Sequence, residues 1–452
     1  MNLRDHLDRS PMTPYQWTVV ALCIVLNALD GYDIAAMSFT STRVQDEFAL
    51  SGSQLGWLIS ATLIGMAVGA AVLGNVADRW GRRPTLLTAV GLATAGMLLA
   101  AAAPSATVLG GIRFVTGLGV GGILACVTVI ITEYSNRRRR GLAMGLYTAG
   151  YGIGATLGGF AAVALQGAHG WRSVYLVGGL VSVVVLAALV AVLPESVHHL
   201  ASHRPQGHEA RLRRIADRLR VPADVDLLPE VEPVAPDVTP ASPSALFGPS
   251  TRRATLAIWV AFFATMFGFY FVNSFTPRIL VDAGMTADQG VHVGMALAIG
   301  GAVGSVAYGL LVARYDTARL LVLTLVASAA AVSVFVVSTG ALAAAVVVGV
   351  VVGMLVNACV GGLYTVTPTL YPTAVRASGV GVALGVGRLG AILAPVAAGS
   401  LLDLGWTPDH LYLMVALVLL LGAAAAWLLP RPAVKTRPEQ TVAAPVRQTT
   451  SR

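Results

Sequence analysis

The sequence predicts an all-α integral membrane protein with about twelve transmembrane helices in two six-helix bundles. Of its 452 residues, 56% are hydrophobic and only 12% are charged, roughly half the charged fraction of a typical soluble domain. Apolar runs of about twenty residues, the length that crosses a bilayer, recur along the whole chain. A long polar segment follows the sixth run and divides the runs into two sets of six.

Each apolar run is expected to be helical, because backbone polar groups surrounded by hydrocarbon must be hydrogen-bonded within their own segment. The predicted spans are residues 17–38, 54–77, 84–103, 106–132, 141–166, 172–193, 254–275, 290–313, 319–338, 341–369, 375–402 and 410–429.

These spans define the predicted domains. Residues 1–193 form an N-terminal six-helix bundle, 194–253 a cytoplasmic middle loop, 254–430 a C-terminal six-helix bundle and 431–452 a cytoplasmic tail. Within the middle loop, residues 211–220 are basic and amphipathic, which is typical of a helix lying on the anionic inner leaflet.

The distribution of Lys and Arg predicts the orientation. Of the 30 basic residues, 25 fall in segments that would all lie on one side of the membrane, three fall on the other side and two lie within spans. The positive-inside rule then places both termini in the cytoplasm of a bacterial-type plasma membrane. Because the net charge of +8 is spread over short loops, it does not indicate nucleic-acid binding.

The first span contains two carboxylates. Asp30 and Asp33 are three residues apart, with Asn27 three residues before them, so all three are expected on one helical face. A carboxylate in the centre of a membrane helix costs about 2.5–3.5 kcal/mol. We therefore expect the pair to face a cavity, a proton or a cation. Gly31, between them, allows a neighbouring helix or a substrate to approach closely.

Arg113 and Arg388 are the two basic residues inside spans. The planar guanidinium suits a carboxylate, so each can bind the carboxylate of a substrate. Each can instead form an ion pair with Asp30, Asp33 or Glu133. The residues leave both alternatives open.

Residues 74–83 read Gly-Asn-Val-Ala-Asp-Arg-Trp-Gly-Arg-Arg. They resemble the Gly-x-x-x-Asp-Arg-x-Gly-Arg-Arg signature of the major facilitator superfamily at every defined position. In the second half a partial copy has Ala313 in place of the Asp. The resemblance implies a conformational latch on the cytoplasmic side, with Asp78 facing a helix N-terminus across the interface between the halves. The latch residues are Gly74, Asp78, Arg79, Gly81, Arg82 and Arg83.

Further motifs resemble the aromatic acid:proton symporter family. They are Asp-Gly-Tyr-Asp at 30–33, Arg-Phe-Val-Thr-Gly-Leu-Gly-Val-Gly-Gly from 113, Glu-Tyr-Ser from 133, Tyr-Pro-Thr-Ala-Val-Arg at 371–376 and the Gly-rich segment 387–395. The resemblance implies import of a hydroxybenzoate- or benzoate-type carboxylate with protons, by alternating access around a midplane site. It implies functional roles for Asp30, Asp33, Arg113, Glu133 and Arg388. We expect proton coupling at Asp30, Asp33 and Glu133, and substrate binding at Arg113, Arg388, Asn27 and Tyr32.

Other classes are less favoured. A symporter of another organic acid, nicotinate-like or aliphatic, is the main alternative. A sugar porter would have a Gln-Gln pair in the seventh span, which is missing, and a drug exporter would have proline where Ala155 stands. A transporter-like sensor would need a signalling module larger than the middle loop. The chain has no nucleotide-binding loop, metal motif or hydrolase elbow, so we expect no enzymatic activity, cofactor or metal. The expected partners are a small carboxylate, protons and the bilayer, with neither nucleic acid nor an obligate protein partner.

Overall fold

A computed structural model describes residues 3–203, 207–222, 225, 246–248, 251–312, 314–338 and 340–429. Ala313 and the tail at 431–452 lie outside the described residues, and the division into domains stays a prediction. The described helices are α1 (Leu3–Arg9), α2 (Pro14–Phe48), α3 (Gly52–Trp80), α4 (Arg82–Ala100), α5 (Ala106–Tyr134), α6 (Arg140–His169), α7 (Arg172–Val192), α8 (Val197–His203), α9 (His208–Leu219), α10 (Arg252–Asp282), α11 (Ala287–Val312), α12 (Thr317–Ser338), α13 (Leu342–Val366), α14 (Thr373–Asp403) and α15 (Pro408–Trp427).

Twelve of these helices, α2–α7 and α10–α15, are long and apolar enough to cross a membrane. This confirms the predicted all-α membrane fold and its two sets of six helices. Eight of these twelve helices are longer than the apolar runs that predicted them. The helix α2 has 35 residues and therefore extends roughly 50 Å, beyond a hydrocarbon core of about 30 Å. Hydropathy identifies only the residues of a helix that lie in the hydrocarbon core, whereas the helix itself continues through the polar residues at its ends.

The short helices α1, α8 and α9 form a layer at one end of the first six helices, which we call the loop end. The apolar residues of α9, Leu212, Ile215 and Leu219, are buried in a cluster that also contains Leu3 of α1 and Val19 of α2. The prediction that this apolar face lies on the lipid leaflet is therefore wrong. Amphipathicity revealed the helix, but the sequence could not show that the protein itself offers the nearest apolar surface.

The two sets of helices contact each other mainly through α3 with α14, α6 with α11 and α2 with α10, and less extensively through α2 with α11. The closest approach joins α3 and α14 at the end opposite the loop end, which we call the far end. A β-carbon on Gly52 would overlap the backbone of Gly399, and one on Gly56 would overlap Pro395. The hydroxyl of Ser60 donates to the carbonyl of Ile392 (2.7 Å). The far end is thus closed by direct backbone packing.

A carboxylate reinforces this closure. Asp403, the last residue of α14, accepts hydrogen bonds from the backbone N–H groups of Gly52 (2.7 Å) and Ser53 (2.8 Å), the first residues of α3. A helix N-terminus carries partial positive charge and unpaired N–H groups, so an anion stabilises it. Asp403 therefore joins the two halves at the far end.

We expect Asp403→Asn to favour opening of the far end, because the amide loses the charge that assists both hydrogen bonds. A loss of about 1–2 kcal/mol corresponds to roughly a 5- to 30-fold change in the equilibrium. In a background without the native cysteines, Ser60→Cys reports on the opening through its rate of reaction with a membrane-impermeant maleimide. The control is Asp409→Asn, an exposed acid in the first turn of α15. Equal rates in the two variants would contradict a closing role for Asp403.

Candidate functional site

The centre of the first bundle is an ion pair between Asp33 on α2 and Arg113 on α5. The guanidinium donates from Nη1 to Oδ1 (2.6 Å) and from Nη2 to Oδ2 (2.8 Å) of the carboxylate. Its Nε donates to the hydroxyl of Thr62 on α3 (3.0 Å), and its charged carbon lies 5.6 Å from the ring centroid of Tyr175 on α7. Arg113 and Asp33 are 1% and 2% exposed. Of the two alternatives open to Arg113, the structure therefore shows the ion pair.

Asn27, Asp30 and Asp33 cover a broad sector of the surface of α2. An α-helix turns about 100° per residue, so Asn27 and Asp33 differ in direction by about 120°. The amide of Asn27 donates to the carbonyl of Tyr147 on α6 (2.6 Å), while Asp33 bonds to α5. Asp30 lies between these two directions. The three residues therefore occupy one broad face of α2 with Asp30 at its centre.

Close packing of α2 against α6 supports this face. A β-carbon on Gly31 would overlap the carbonyl of Tyr151, and one on Gly154 would overlap the carbonyl of Ala28. The prediction that Gly31 admits a neighbouring helix is therefore confirmed. Tyr32 points to the other side of α2, where its hydroxyl donates to the carbonyl of Val174 (2.7 Å). Asn27 and Tyr32 thus bond to helix backbones here, and their contact with a substrate stays a prediction.

Asp30 differs from Asp33 in its hydrogen bonding. It is 6% exposed, and its Oδ1 atom has no hydrogen-bond partner among the described residues. Both Arg113 and Arg388 interact with it electrostatically. Asp30 is therefore a buried carboxylate that lacks the paired geometry given to Asp33.

Arg388 on α14 faces Asp30 from the second half of the chain. Its Nη1 donates to the hydroxyl of Tyr270 on α10 (3.3 Å), and it interacts electrostatically with Asp30 and Tyr364. Tyr151 interacts electrostatically with both Asp30 and Arg388. In the described part of the chain, Arg388 thus has tyrosines and a distant carboxylate around it instead of a close ion pair.

The structure does not bring Glu133 into this site. It lies twenty residues after Arg113 on the same helix, which corresponds to roughly 30 Å. At the loop end its Oε1 atom accepts a hydrogen bond from the hydroxyl of Ser196 (2.9 Å). A role for Glu133 in proton coupling stays a prediction, and it would act far from the acidic pair.

The latch residues lie at the loop end, from the last turns of α3 to the first turn of α4, and the hydrogen bonds and ion pair described for them are within the first half. Asp78 forms an ion pair with Arg82, four residues later, and its side chain is 63% exposed. Arg83 donates to the carbonyls of Leu193 and Val190 near the end of α7 (both 2.8 Å). The side chain of Arg79 is exposed. Asp78 thus has no hydrogen bond or ion pair with the described residues of the second half, and the latch across the halves stays a prediction.

Two glycines of the latch differ in their surroundings. Gly81 separates α3 from α4 with a φ of +106°, a conformation that L side chains rarely adopt. Next to it, Glu195 accepts hydrogen bonds from the N–H groups of Arg82 (2.8 Å) and Arg83 (3.0 Å) at the start of α4. A β-carbon on Gly74 would make only an ordinary contact, 3.7 Å from Ala125. Among the described residues, Gly74 therefore has no neighbour that a β-carbon would overlap.

Comparison with protein families shows which family the chain belongs to. Residues 20–395 and 258–450 match the description "Major Facilitator Superfamily". The chain belongs to the major facilitator superfamily. Members of this family are membrane transporters, so the chain is a multi-pass membrane transporter and not an enzyme.

Individual relatives of this major facilitator cover nearly the whole chain. It is 31% identical to the "4-hydroxybenzoate transporter PcaK" of Pseudomonas aeruginosa over 437 residues, 95% of each chain. It is also 31% identical to the "Gallate transporter" of Pseudomonas putida over 451 residues, 98% of each chain. Among solved structures, the inward-open xylose transporter XylE from Escherichia coli superposes with a TM-score of 0.74 at 18% identity, covering 93% of this chain and 98% of that chain. The structural likeness supports the fold alone.

Several site residues were not assigned by the sequence. Thr62 and Tyr175 complete the surroundings of Arg113, and Tyr270 and Tyr364 accompany Arg388. Threonines and tyrosines are common in apolar spans, and no charge marks them. Tyr270 had a weak signal, because it belongs to an aromatic cluster in the seventh span.

The contrast between the two carboxylates predicts that replacing each by Asn has a different effect on the stability of the fold. Asp33→Asn leaves the Arg113 guanidinium buried without its anion, which should destabilise the fold by about 3–5 kcal/mol. Asp30→Asn removes a charge that has no close partner, so its thermal unfolding temperature should stay near that of the native chain. The measurement is thermal unfolding of each purified variant in one detergent. Equal losses in both variants would contradict the distinct roles described here.

Proposed function

We propose that this major facilitator imports an aromatic carboxylate together with protons. The relatives named for 4-hydroxybenzoate and gallate transport support the substrate class, since both names describe aromatic carboxylates. The site supports an anionic substrate, because the guanidinium of Arg388 interacts with several tyrosines next to the interface between the halves. Arg388 supplies the charge for the substrate carboxylate, and the tyrosines supply rings and hydroxyls next to it.

The observation that carries the proposal is the unequal pairing of the two arginines. Arg113 already holds Asp33 through two short hydrogen bonds, so it has little capacity for a second carboxylate. Arg388 has a hydroxyl partner at 3.3 Å and a more distant carboxylate in Asp30. Arg388 is thus the cation available to the substrate, and Arg113 is the structural partner of Asp33.

Charge balance then links the proton to the substrate. While Asp30 is ionised, its charge balances that of Arg388 across the interface between the halves. When Asp30 takes up a proton, the positive charge of Arg388 becomes available to the substrate carboxylate. Each binding event strengthens the other, which is the reciprocal linkage that symport requires.

Alternating access follows from where these charges lie. Asp30 is in the first six helices and Arg388 in the second, so the substrate lies between two bodies that can rock about it. With the far end closed by α3 and α14, substrate reaches the site from the loop end. By the positive-inside rule the loop end faces the cytoplasm of a bacterial-type plasma membrane, together with both termini. The latch segment at 74–83 would close that end in the other state.

The test is uptake of radiolabelled 4-hydroxybenzoate into proteoliposomes. We expect accumulation driven by an inward proton gradient, its collapse on addition of an uncoupler, and competition by benzoate and gallate. Aliphatic carboxylates and nicotinate serve as comparison substrates that decide between the substrate classes. Accumulation that increases when the gradient is dissipated would indicate export and contradict the proposal.

Arg388→Lys should weaken substrate binding about 10- to 100-fold, since Lys keeps the charge but loses the two-pronged geometry of the guanidinium. The measurement is the dissociation constant of 4-hydroxybenzoate for the purified protein. The control is Arg314→Lys, the same exchange at an exposed position at the loop end. An unchanged constant in Arg388→Lys would remove Arg388 from the substrate site.

Asp30→Asn should separate exchange from accumulation. The amide mimics the protonated carboxyl group, so substrate can still bind at Arg388 and exchange across the membrane. Uphill accumulation should fall to the level of empty liposomes, because no proton is carried. Counterflow and gradient-driven uptake are measured on the same preparation. Gradient-driven uptake at the native rate would show that coupling occurs at another group.

A further inference from the structure

A small cavity lies within the first bundle, next to the acidic pair and bounded by α2, α4, α5 and α7. Its volume is about 20 Å³, and a single water molecule needs roughly 10–15 Å³ for its centre. Most of its wall is apolar. The polar residues that line it are Asp30, Asp33, Thr94, Thr116 and Ser182.

Three of these polar residues already form hydrogen bonds with other parts of the protein. Asp33 accepts two hydrogen bonds from Arg113. Thr116 and Ser182 each donate to the carbonyl four residues earlier in their own helix (both 2.8 Å). Their hydroxyl protons are therefore not available to a molecule in the cavity.

The other two residues each have a buried atom without a partner. Asp30 Oδ1 and Thr94 Oγ1 have no hydrogen bond among the described residues, although Asp30 is only 6% and Thr94 only 4% exposed. One is a carboxylate oxygen, which accepts, and the other a hydroxyl, which donates and accepts. Buried waters typically bond to polar groups of this kind.

We propose that this cavity binds one water molecule between the Thr94 hydroxyl and the Asp30 carboxylate. Thr94 would thereby be a positioning residue for proton uptake at Asp30. The Thr94 hydroxyl donates to the water, which in turn donates to Oδ1 and stabilises the ionised carboxylate. This inference rests on the proposed function, in which Asp30 carries the coupled proton.

The water acts together with the other groups around Asp30, because charged and titratable side chains reach it from α2, α5, α6, α10 and α14. The polar side chains of α4 and α7 that line the cavity, Thr94 and Ser182, are uncharged. A change at Thr94 therefore leaves the surrounding charges in place and alters only the hydrogen bonding. The charged and titratable groups that face Asp30 are Asp33, Arg113, Arg388, Tyr147, Tyr151 and Tyr270.

The experiment follows the carboxyl stretching band of Asp30 by infrared spectroscopy of the substrate-free, full-length protein across a pH series. The band is assigned by its loss in Asp30→Asn. In Thr94→Val the shape of the side chain is kept and the hydroxyl removed, so the titration midpoint should rise by roughly 0.5–1 pH unit, the equivalent of about 1 kcal/mol. Thr94→Ser keeps the hydroxyl and should titrate like the native protein.

The matched control is Thr116→Val, the same exchange in the same cavity wall at a hydroxyl that bonds to its own helix. Its midpoint should not move. An unchanged midpoint in Thr94→Val, or equal shifts in Thr94→Val and either Thr94→Ser or Thr116→Val, would overturn the proposal. If Thr94→Val does not fold, Thr94→Ala is judged by the same outcomes. Because no substrate is present, these outcomes are independent of the uptake tests, and failure of uptake alone would contradict only the proposed function.

Discussion

The ion pair between Asp33 and Arg113 is the interaction on which the rest of the site depends. Burying two charges costs several kcal/mol per ion, and only good geometry with additional hydrogen bonds offsets that cost. Two short bonds to Asp33, a third to Thr62 and the ring of Tyr175 meet this condition. The pair fixes α2 against α5 and removes one acid and one base from further chemistry. What remains is one carboxylate and one guanidinium, Asp30 and Arg388, in opposite halves.

The helix that carries Arg388 also closes the far end. Gly399 and Asp403, which contact the start of α3, lie 11 and 15 residues after Arg388 on α14, or roughly 16 and 22 Å along the axis. Arg388, to which we assign substrate binding, and the far-end contact therefore lie on one helix. Pro395, between the two, removes one backbone hydrogen bond and provides a place where α14 can bend. The candidate site and the far-end contact therefore belong to the same element, with a place for a bend between them.

The sequence predicted the fold almost completely, because membrane helices are constrained by a length and a hydropathy that can be counted. It also identified Asp30, Asp33, Arg113 and Arg388, since charges inside apolar spans are conspicuous. It could not decide which acid pairs with which base, because that depends on how α2, α5 and α14 rotate against one another. Thr62 and Thr94 remained hidden for a different reason. A threonine in a membrane helix usually donates its hydroxyl hydrogen bond to the backbone of its own helix, as Thr116 does. The sequence does not show which threonines lack this hydrogen bond.

The difference between the two carboxylates is itself an argument for function. A buried oxygen left without a hydrogen bond costs about 1–3 kcal/mol, and the chain shows at Asp33 that it can satisfy a carboxylate fully. A fixed ion pair stabilises one protonation state of a carboxyl group. A group that gains and loses a proton in each transport cycle cannot have either of its two protonation states stabilised so strongly. Local rules are broken where function requires it. The incomplete bonding of Asp30, one helical turn from the complete bonding of Asp33, is therefore why we assign the proposed proton coupling to Asp30 and a structural role to Asp33.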